Sequence, residues 1–184
     1  MALAALVLAA GRGERFGGCK LDALFLGEPL LAHALRAACA APVDRVLLVT
    51  RAGQAMPAND PRLGILTVES PALSVSLKAG LAALDGADGT FVFLGDMPLV
   101  PHGIAASLAA ALGDNIAALP TWQGQPGHPV LLSRRGFALA AGLDGDRGLG
   151  TVLRGRSDVL RMPCEDEGVV IDVDTPAALA RLSP

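Results

Sequence analysis

An apolar run, Leu3 to Ala9, gives way within two residues to a stretch of unusual density. Gly11-Arg12-Gly13-Glu14-Arg15-Phe16-Gly17-Gly18-Cys19-Lys20 holds four glycines, three basic side chains and one acid in ten residues. The apolar run reads as a buried strand. The glycines let the following backbone turn tightly and approach a ligand closely. Successive N–H groups in such a turn form an anion-binding concavity, and Arg15 and Lys20 add full positive charge beside it. A strand, a glycine loop and two cations point to a polyphosphate site. Two common versions of that site do not fit. A P-loop carries Ser or Thr after its Lys, whereas Leu21 follows Lys20. The dinucleotide fingerprint has a third glycine three residues after the second, where this chain has Phe16.

The rest of the chain supplies the frame. Leu30, Leu31, Ala34, Leu35 and Ala38 recur at helical spacing, which predicts a helix over 30–40 ended by Pro42. Arg45 to Thr50 then reads as a second buried strand. Strand, helix and strand in that order imply a parallel sheet with a right-handed crossover. Residues 51–63 form a predicted loop and 65–68 a short strand. Ser74 is the expected N-cap of a helix reaching Leu84. Strands are expected at 90–94, 115–119, 130–132, 159–162 and 169–173. Helices are expected at 102–112, 134–143 and 149–153, with a last one opened by Thr175-Pro176; 121–128 reads as a loop. The fold class is therefore α/β: a doubly wound, mostly parallel sheet with helices on both faces. With 184 residues, no internal repeat and no long linker, the expectation is one domain over 1–184.

Composition narrows the function. Net charge is −3 with scattered basic residues, and aromatics are 3 %, with Trp122 the sole Trp and no Tyr; this argues against a nucleic-acid groove. Met1 to Ala10 lacks a basic leader, and Arg12 and Glu14 follow too soon for a membrane span. Cys19, Cys39 and Cys164 are odd in number and lack metal-type spacing, which fits a reduced, cytoplasmic protein.

In open α/β sheets, ligands bind beyond the carboxyl ends of the strands. Three charged features are expected there: the glycine loop, Asp96 just after the 90–94 strand, and Asp172-Val173-Asp174. Polyphosphate brings Mg²⁺, which takes oxygen ligands and only one or two carboxylates. Asp96 with Asp172 or Asp174 meets that count. The competing role for Asp174 is capping the last helix. His128, between Gly127 and Pro129, is a loop histidine that could be held rigidly beside a strand. The Asp144 to Gly148 loop lacks calcium-loop spacing and reads as a turn near an acceptor. No Ser/His/Asp or Cys/His arrangement stands out.

These segments resemble a known superfamily. Leu8-Ala-Ala-Gly-Arg-Gly-Glu-Arg-Phe-Gly-Gly-Cys-Lys20 is similar to the signature of nucleoside-triphosphate transferases, the nucleotide-diphospho-sugar transferase type of fold. Leu73 to Leu81, Gly95-Asp-Met-Pro98, Gly127-His-Pro-Val130, Gly145-Asp-Arg-Gly148 and Ile171-Asp-Val-Asp-Thr-Pro176 are similar, in order, to the molybdenum cofactor cytidylyltransferase branch. The resemblance implies a Mg²⁺-dependent transfer of CMP from CTP to molybdopterin or its molybdenum-loaded form, with release of pyrophosphate, and a molybdoenzyme as eventual partner. It implies that Leu8, Ala9, Ala10, Gly11 and Gly13 contact base and ribose. Arg15 and Lys20 would hold the triphosphate, Ser74 and Ser76 would help bind the nucleotide, Asp96 and Asp174 would bind metal, and His128 would lie on the acceptor side. Two alternatives stay open: guanylyl or other nucleotidyl transfer to a different phosphorylated acceptor, and a non-catalytic nucleotide-binding partner of a molybdoenzyme.

Overall fold

A computed structural model describes residues 1–54 and 59–182. The predicted 51–63 loop therefore lies partly outside the described residues. The first strand, β1 (Leu3–Ala9), is buried along its whole length, as an apolar run with both faces covered must be. A two-residue hairpin, β2 (Leu24–Phe25) and β3 (Glu28–Pro29), leads into α1 (Leu30–Cys39). Then follow β4 (Arg45–Thr50), β5 (Leu63–Thr67), α2 (Leu73–Ala83), β6 (Gly89–Leu94), α3 (Ile104–Ala111), β7 (Ala117–Trp122), β8 (Gln125–Pro126), β9 (Val130–Ser133), α4 (Leu149–Leu153), β10 (Val159–Pro163) and α5 (Pro176–Leu182).

The main sheet runs β10-β7-β9-β6-β1-β4-β5, with β8 paired to β7. The pairs β1–β4, β1–β6, β4–β5 and β7–β10 are parallel; β9 is antiparallel to both neighbours. The mostly parallel, doubly wound sheet expected from the sequence is present. Alternation along β1 sorts its side chains. Ala5, Val7 and Ala9 join Leu31, Leu35, Phe91, Phe93 and Leu108 on the α1 and α3 face. Ala4, Leu6 and Leu8 join Leu77, Leu81, Val92 and Leu149 on the α2 and α4 face. Each fully buried Leu or Phe contributes roughly 1.5–3 kcal/mol relative to exposure, so this double core carries most of the stability.

Four sequence expectations are corrected. Residues 169–173 are not a strand: a 3-10 turn covers Glu167–Val169, and 171–174 run without ladder partners. Val169 and Val173 are wholly buried, but in loop packing, which is why their apolar pattern imitated a strand. Ser74 is not an N-cap; it lies inside α2, whose cap position is Ala72. The predicted 121–128 loop is mostly a hairpin, because β7 continues to Trp122 and returns through β8. Residues 134–140 form a 3-10 helix. Strand β5 also begins two residues earlier than expected.

Candidate active site

Sheet order reverses between β1 and β6. The chain leaves β1 toward β4 and β5 on one side, then returns to β6 on the other. Crevices form at such switch points, outside the carboxyl strand ends. The Gly95 N–H donates to the Leu8 carbonyl at 2.9 Å, so the two strands stay zipped to their last residues. The glycine loop and Asp96 leave from that common edge.

The loop's shape follows from its residues. Gly13 adopts the left-handed conformation at φ 62°, which glycine enters without steric cost. A Cβ there would stand 3.0 Å from the Lys20 Cβ and 3.2 Å from the Gly18 carbonyl oxygen. Phe16 donates its N–H to the Gly13 carbonyl at 2.8 Å, closing a turn, and Lys20 donates to the Gly18 carbonyl at 2.9 Å. Phe16 then packs against Phe25, Leu30 and Val173. That small apolar cluster anchors the loop and the 171–174 segment together. Val173 is buried and donates its N–H to the Asp96 carbonyl at 3.0 Å. Its two aspartate neighbours are thereby brought to the loop.

The result is an acidic centre crossed by two cations. Single carboxylate oxygens of Asp96, Asp172 and Asp174 all lie within 4.8 Å of one another. The Lys20 Nζ donates to Asp96 Oδ2 at 2.6 Å and to Asp174 Oδ1 at 3.0 Å. Arg15 Nη1 donates to Asp174 Oδ2 at 2.9 Å. Burial pulls the Lys20 ammonium toward its neutral form, but Asp96 and Asp174 more than offset this and hold its pKa above the ordinary lysine value. Desolvation, reinforced by the charges of Asp174 and Asp96, pushes the Asp172 carboxyl above the ordinary aspartate value. Asp174 does not cap α5: Thr175 Oγ1 accepts the Ala178 N–H at 3.1 Å. That hydroxyl leaves both Asp174 oxygens to the cations.

These groups open onto a cleft of about 470 Å³. Leu8, Ala10, Gly11, Gly13, Arg15, Lys20, Ser76, Asp96 and Asp174 of the expected residues line it. Ala9 turns into the α1 face core instead. Ser74 is buried behind the wall and donates its N–H to the Gly145 carbonyl at 3.1 Å, which holds the 145–148 loop against α2. Asp172 is exposed and belongs to the acidic cluster. His128 stands apart from the cleft lining; its Nδ1 is 3.2 Å from the Val92 carbonyl oxygen. Desolvation holds its pKa below the ordinary imidazole value, against the opposing pull of Val92, Asp96 and Asp172.

Sequence reasoning missed part of the wall. Pro71, Leu73 and Leu94 supply its apolar side, and Arg12, Glu14 and Asp146 its rim. Pro71 and Leu73 gave no chemical signal. Asp146 had one: its Gly-Asp-Arg-Gly turn is expected near an acceptor, and the tie from Ser74 to Gly145 sets that turn against α2 with Asp146 on the cleft lining.

Known proteins agree with this architecture. Over 147 residues the chain is 34% identical to a 2-C-methyl-D-erythritol 4-phosphate cytidylyltransferase of Cereibacter sphaeroides, covering 71% of this chain and 65% of that protein, so it spans less than two thirds of that relative's length. It is 28% identical to the purine catabolism protein PucB of Bacillus subtilis, over 95% of this chain and 92% of PucB. It is 33% identical to a probable molybdenum cofactor guanylyltransferase of Thermococcus gammatolerans, over 64% of this chain and 61% of that one. Among solved structures, the Rv0371c homologue from Mycobacterium sp. strain JC1 superposes with a TM-score of 0.85 at 29% identity, covering 98% and 94% of the two chains. Rv0371c of Mycobacterium tuberculosis in complex with manganese gives 0.85 at 26% identity, covering 99% and 98%. The family model for the MobA-like NTP transferase domain matches residues 5–160. That span runs from β1 into β10 and takes in the glycine loop, Lys20 and Asp96; on it, the chain belongs to the MobA-like NTP transferase family.

Proposed function

We propose that this nucleotidyltransferase moves CMP from CTP to molybdopterin, or to its molybdenum-loaded form, with release of pyrophosphate. The observation that carries the reading is Lys20, set between Asp96 and Asp174 at the mouth of a glycine loop on the sheet's switch point. Such a site concentrates positive charge for phosphates next to oxygen ligands for a divalent cation. The acidic cluster fits Mg²⁺ in donor type and number, since that ion takes one or two carboxylates and completes its shell with phosphates and water. Asp96 with Asp174 would hold it. Bound there, Mg²⁺ supplies charge neutralisation on the triphosphate.

The chain's own residues do the rest. The backbone from Leu8 to Gly13 receives the nucleoside, with Pro71 and Leu73 as an apolar wall. Arg15 and Lys20 take the triphosphate, and Lys20 neutralises charge as it builds. An oxygen of the acceptor's phosphate attacks the α-phosphorus. The bond from that phosphorus to its bridging oxygen breaks, and pyrophosphate leaves. This chemistry is mainly positioning and charge stabilisation, so it calls for no protein nucleophile. His128 lies near Asp96 and Asp172 and is assigned to the acceptor side.

The cytidylyltransferase relative supports CTP; the guanylyltransferase relative favours GTP as a second reading. Met97 does not separate them, since it is 2 % exposed in the α1 and α3 core and does not face the cleft. The deciding experiment supplies each nucleoside triphosphate with Mg²⁺ and molybdopterin and measures pyrophosphate. CTP-dependent release that requires molybdopterin is the expected result. Release with GTP alone would replace the base assignment. Tight nucleotide binding without pyrophosphate from any triphosphate would leave a non-catalytic binding protein.

A further inference from the structure

Lys20 has two incompatible neighbourhoods. For triphosphate it must face the phosphates; here its ammonium sits between the two carboxylates assigned to the metal. The contacts are short, 2.6 and 3.0 Å, and the Lys20 side chain is 13 % exposed. Arg15 closes the outer side of Asp174 at 2.9 Å. Charge-assisted hydrogen bonds of this kind are about twice as strong as neutral ones.

We propose that Lys20 is a positioning residue as well as a phosphate ligand. Its ammonium is a resident counter-ion that balances Asp96 and Asp174 and keeps bare divalent cations out until a triphosphate draws the lysine away. Three carboxylates within 4.8 Å repel one another; the Val173 N–H on the Asp96 carbonyl holds their backbone together, and the repulsion is relieved by positive charge among them. Lys20 supplies it, tethered by a loop whose turns fix its Cα through the Gly18 carbonyl and the Gly13 close approach. A divalent ion arriving alone must displace that ammonium and leave it without a partner. An ion arriving with a triphosphate offers the ammonium a new anionic partner in the same step. The exchange leaves no charge without a partner: the carboxylates trade the lysine for the metal while the lysine trades carboxylate for phosphate. Metal and nucleotide therefore enter together, and each strengthens the other's binding by the same factor.

The inference rests on the reading that the acidic cluster takes a divalent cation, but its test needs no turnover. Mn²⁺ binding is measured by the loss of the free-ion electron paramagnetic resonance signal, without nucleotide, for the wild type, Lys20→Met and Arg15→Met. Circular dichroism and thermal melts confirm that each variant is folded, and Lys20→Gln serves as a second neutral variant. Lys20→Met and Lys20→Gln should bind Mn²⁺ roughly tenfold or more tightly than the wild type, the factor expected from removing a charge-assisted contact. Arg15→Met should show a smaller gain, because Arg15 is 80 % exposed and touches Asp174 alone. Adding CTP should tighten Mn²⁺ binding more in the wild type than in Lys20→Met. Equal or weaker Mn²⁺ binding in both Lys20 variants would overturn the proposal. No Mn²⁺ binding by any form, with or without CTP, would instead overturn the metal assignment beneath it.

Discussion

Two sets of glycines in this molecule look alike in sequence and serve opposite ends. In the loop after β1, a Cβ added at Gly11, Gly17 or Gly18 would meet nothing within 4 Å. Around the 168–173 segment the space is filled. A Cβ at Gly168 would lie 2.1 Å from the Leu99 carbonyl oxygen, and one at Gly127 would lie 2.3 Å from the Val169 carbonyl oxygen. In the first set, Gly11 lines the cleft, where the missing side chain leaves room for a ligand. The second lets two backbone segments touch, so that Val173 can be buried and the aspartates beside it delivered to the cleft.

The largest effects should come from the charges that the open loop carries. Lys20→Ala removes the ammonium between Asp96 and Asp174, and Asp96→Asn removes a carboxylate charge from the cluster proposed to hold metal. Each should lower kcat by about 10²–10³-fold, the scale for losing one electrostatic stabiliser, with the fold retained. Steady-state pyrophosphate release together with thermal melts checks this. Near-normal turnover in both variants would mean that the site is misplaced.

On the packed side the loss should be of stability. Gly168→Ala forces a methyl into the Leu99 backbone and should cost ~3 kcal/mol, the upper part of the usual range for overpacking. Urea titration should show a lower midpoint with an unchanged slope. Any loss of activity should follow the fraction unfolded. Gly11→Ala is the counterpart. Gly11 is absent from the positive-φ positions and has open space at its Cβ, so stability should hold. Its methyl would project into the nucleotide cleft, raising KM for the triphosphate by about tenfold, the worth of ~1.4 kcal/mol of lost contact. If Gly11→Ala loses stability while Gly168→Ala loses only activity, the division between the two sets is wrong.

The same division explains what the sequence could convey. Strand β1, helix α1 and strand β4 were legible because their burial is periodic and local, one face or both against a sheet. The glycine loop was legible because its residue types have few other uses in that combination. The 169–173 segment was not. Val169 and Val173 are as buried as strand residues, but without ladder partners: Val169 joins the α1 and α3 face core and Val173 packs with Phe25 and Leu30, which no local pattern encodes. The cap of α5 had two candidates in the sequence, for a related reason. Asp174 and Thr175 are both good cap residues, and only the pull of Lys20 and Arg15 on Asp174 decides that Thr175 takes the role. Ser74 had the right chemistry for a cap but sits two residues past the cap position, Ala72.

His128 offers the smallest effect and a separate handle on the packed side. Its backbone N–H donates to the Val169 carbonyl at 2.7 Å, so it stands on the same close contact that Gly127 permits. Burial holds its imidazole pKa below the ordinary value near 6.5. The Val92 carbonyl can only accept, so Nδ1 carries the proton and Nε2 is bare in the neutral ring. Between the depressed folded value and the unfolded one, the unfolded chain binds more protons, so stability rises with pH. His128 should therefore contribute its full share above the unfolded pKa, and that share should fall as pH drops from about 7 toward 5, with a slope of at most ~1.4 kcal/mol per pH unit for one proton. Asp172 works in the opposite sense: its raised pKa makes the folded state hold a proton longer, a gain confined to pH nearer the carboxylate range. Urea unfolding at pH 7.0, 6.0 and 5.0 separates the two. The wild type should lose stability across this window, and His128→Gln should be flatter by the histidine's share. An identical slope in the variant would place the acid sensitivity elsewhere.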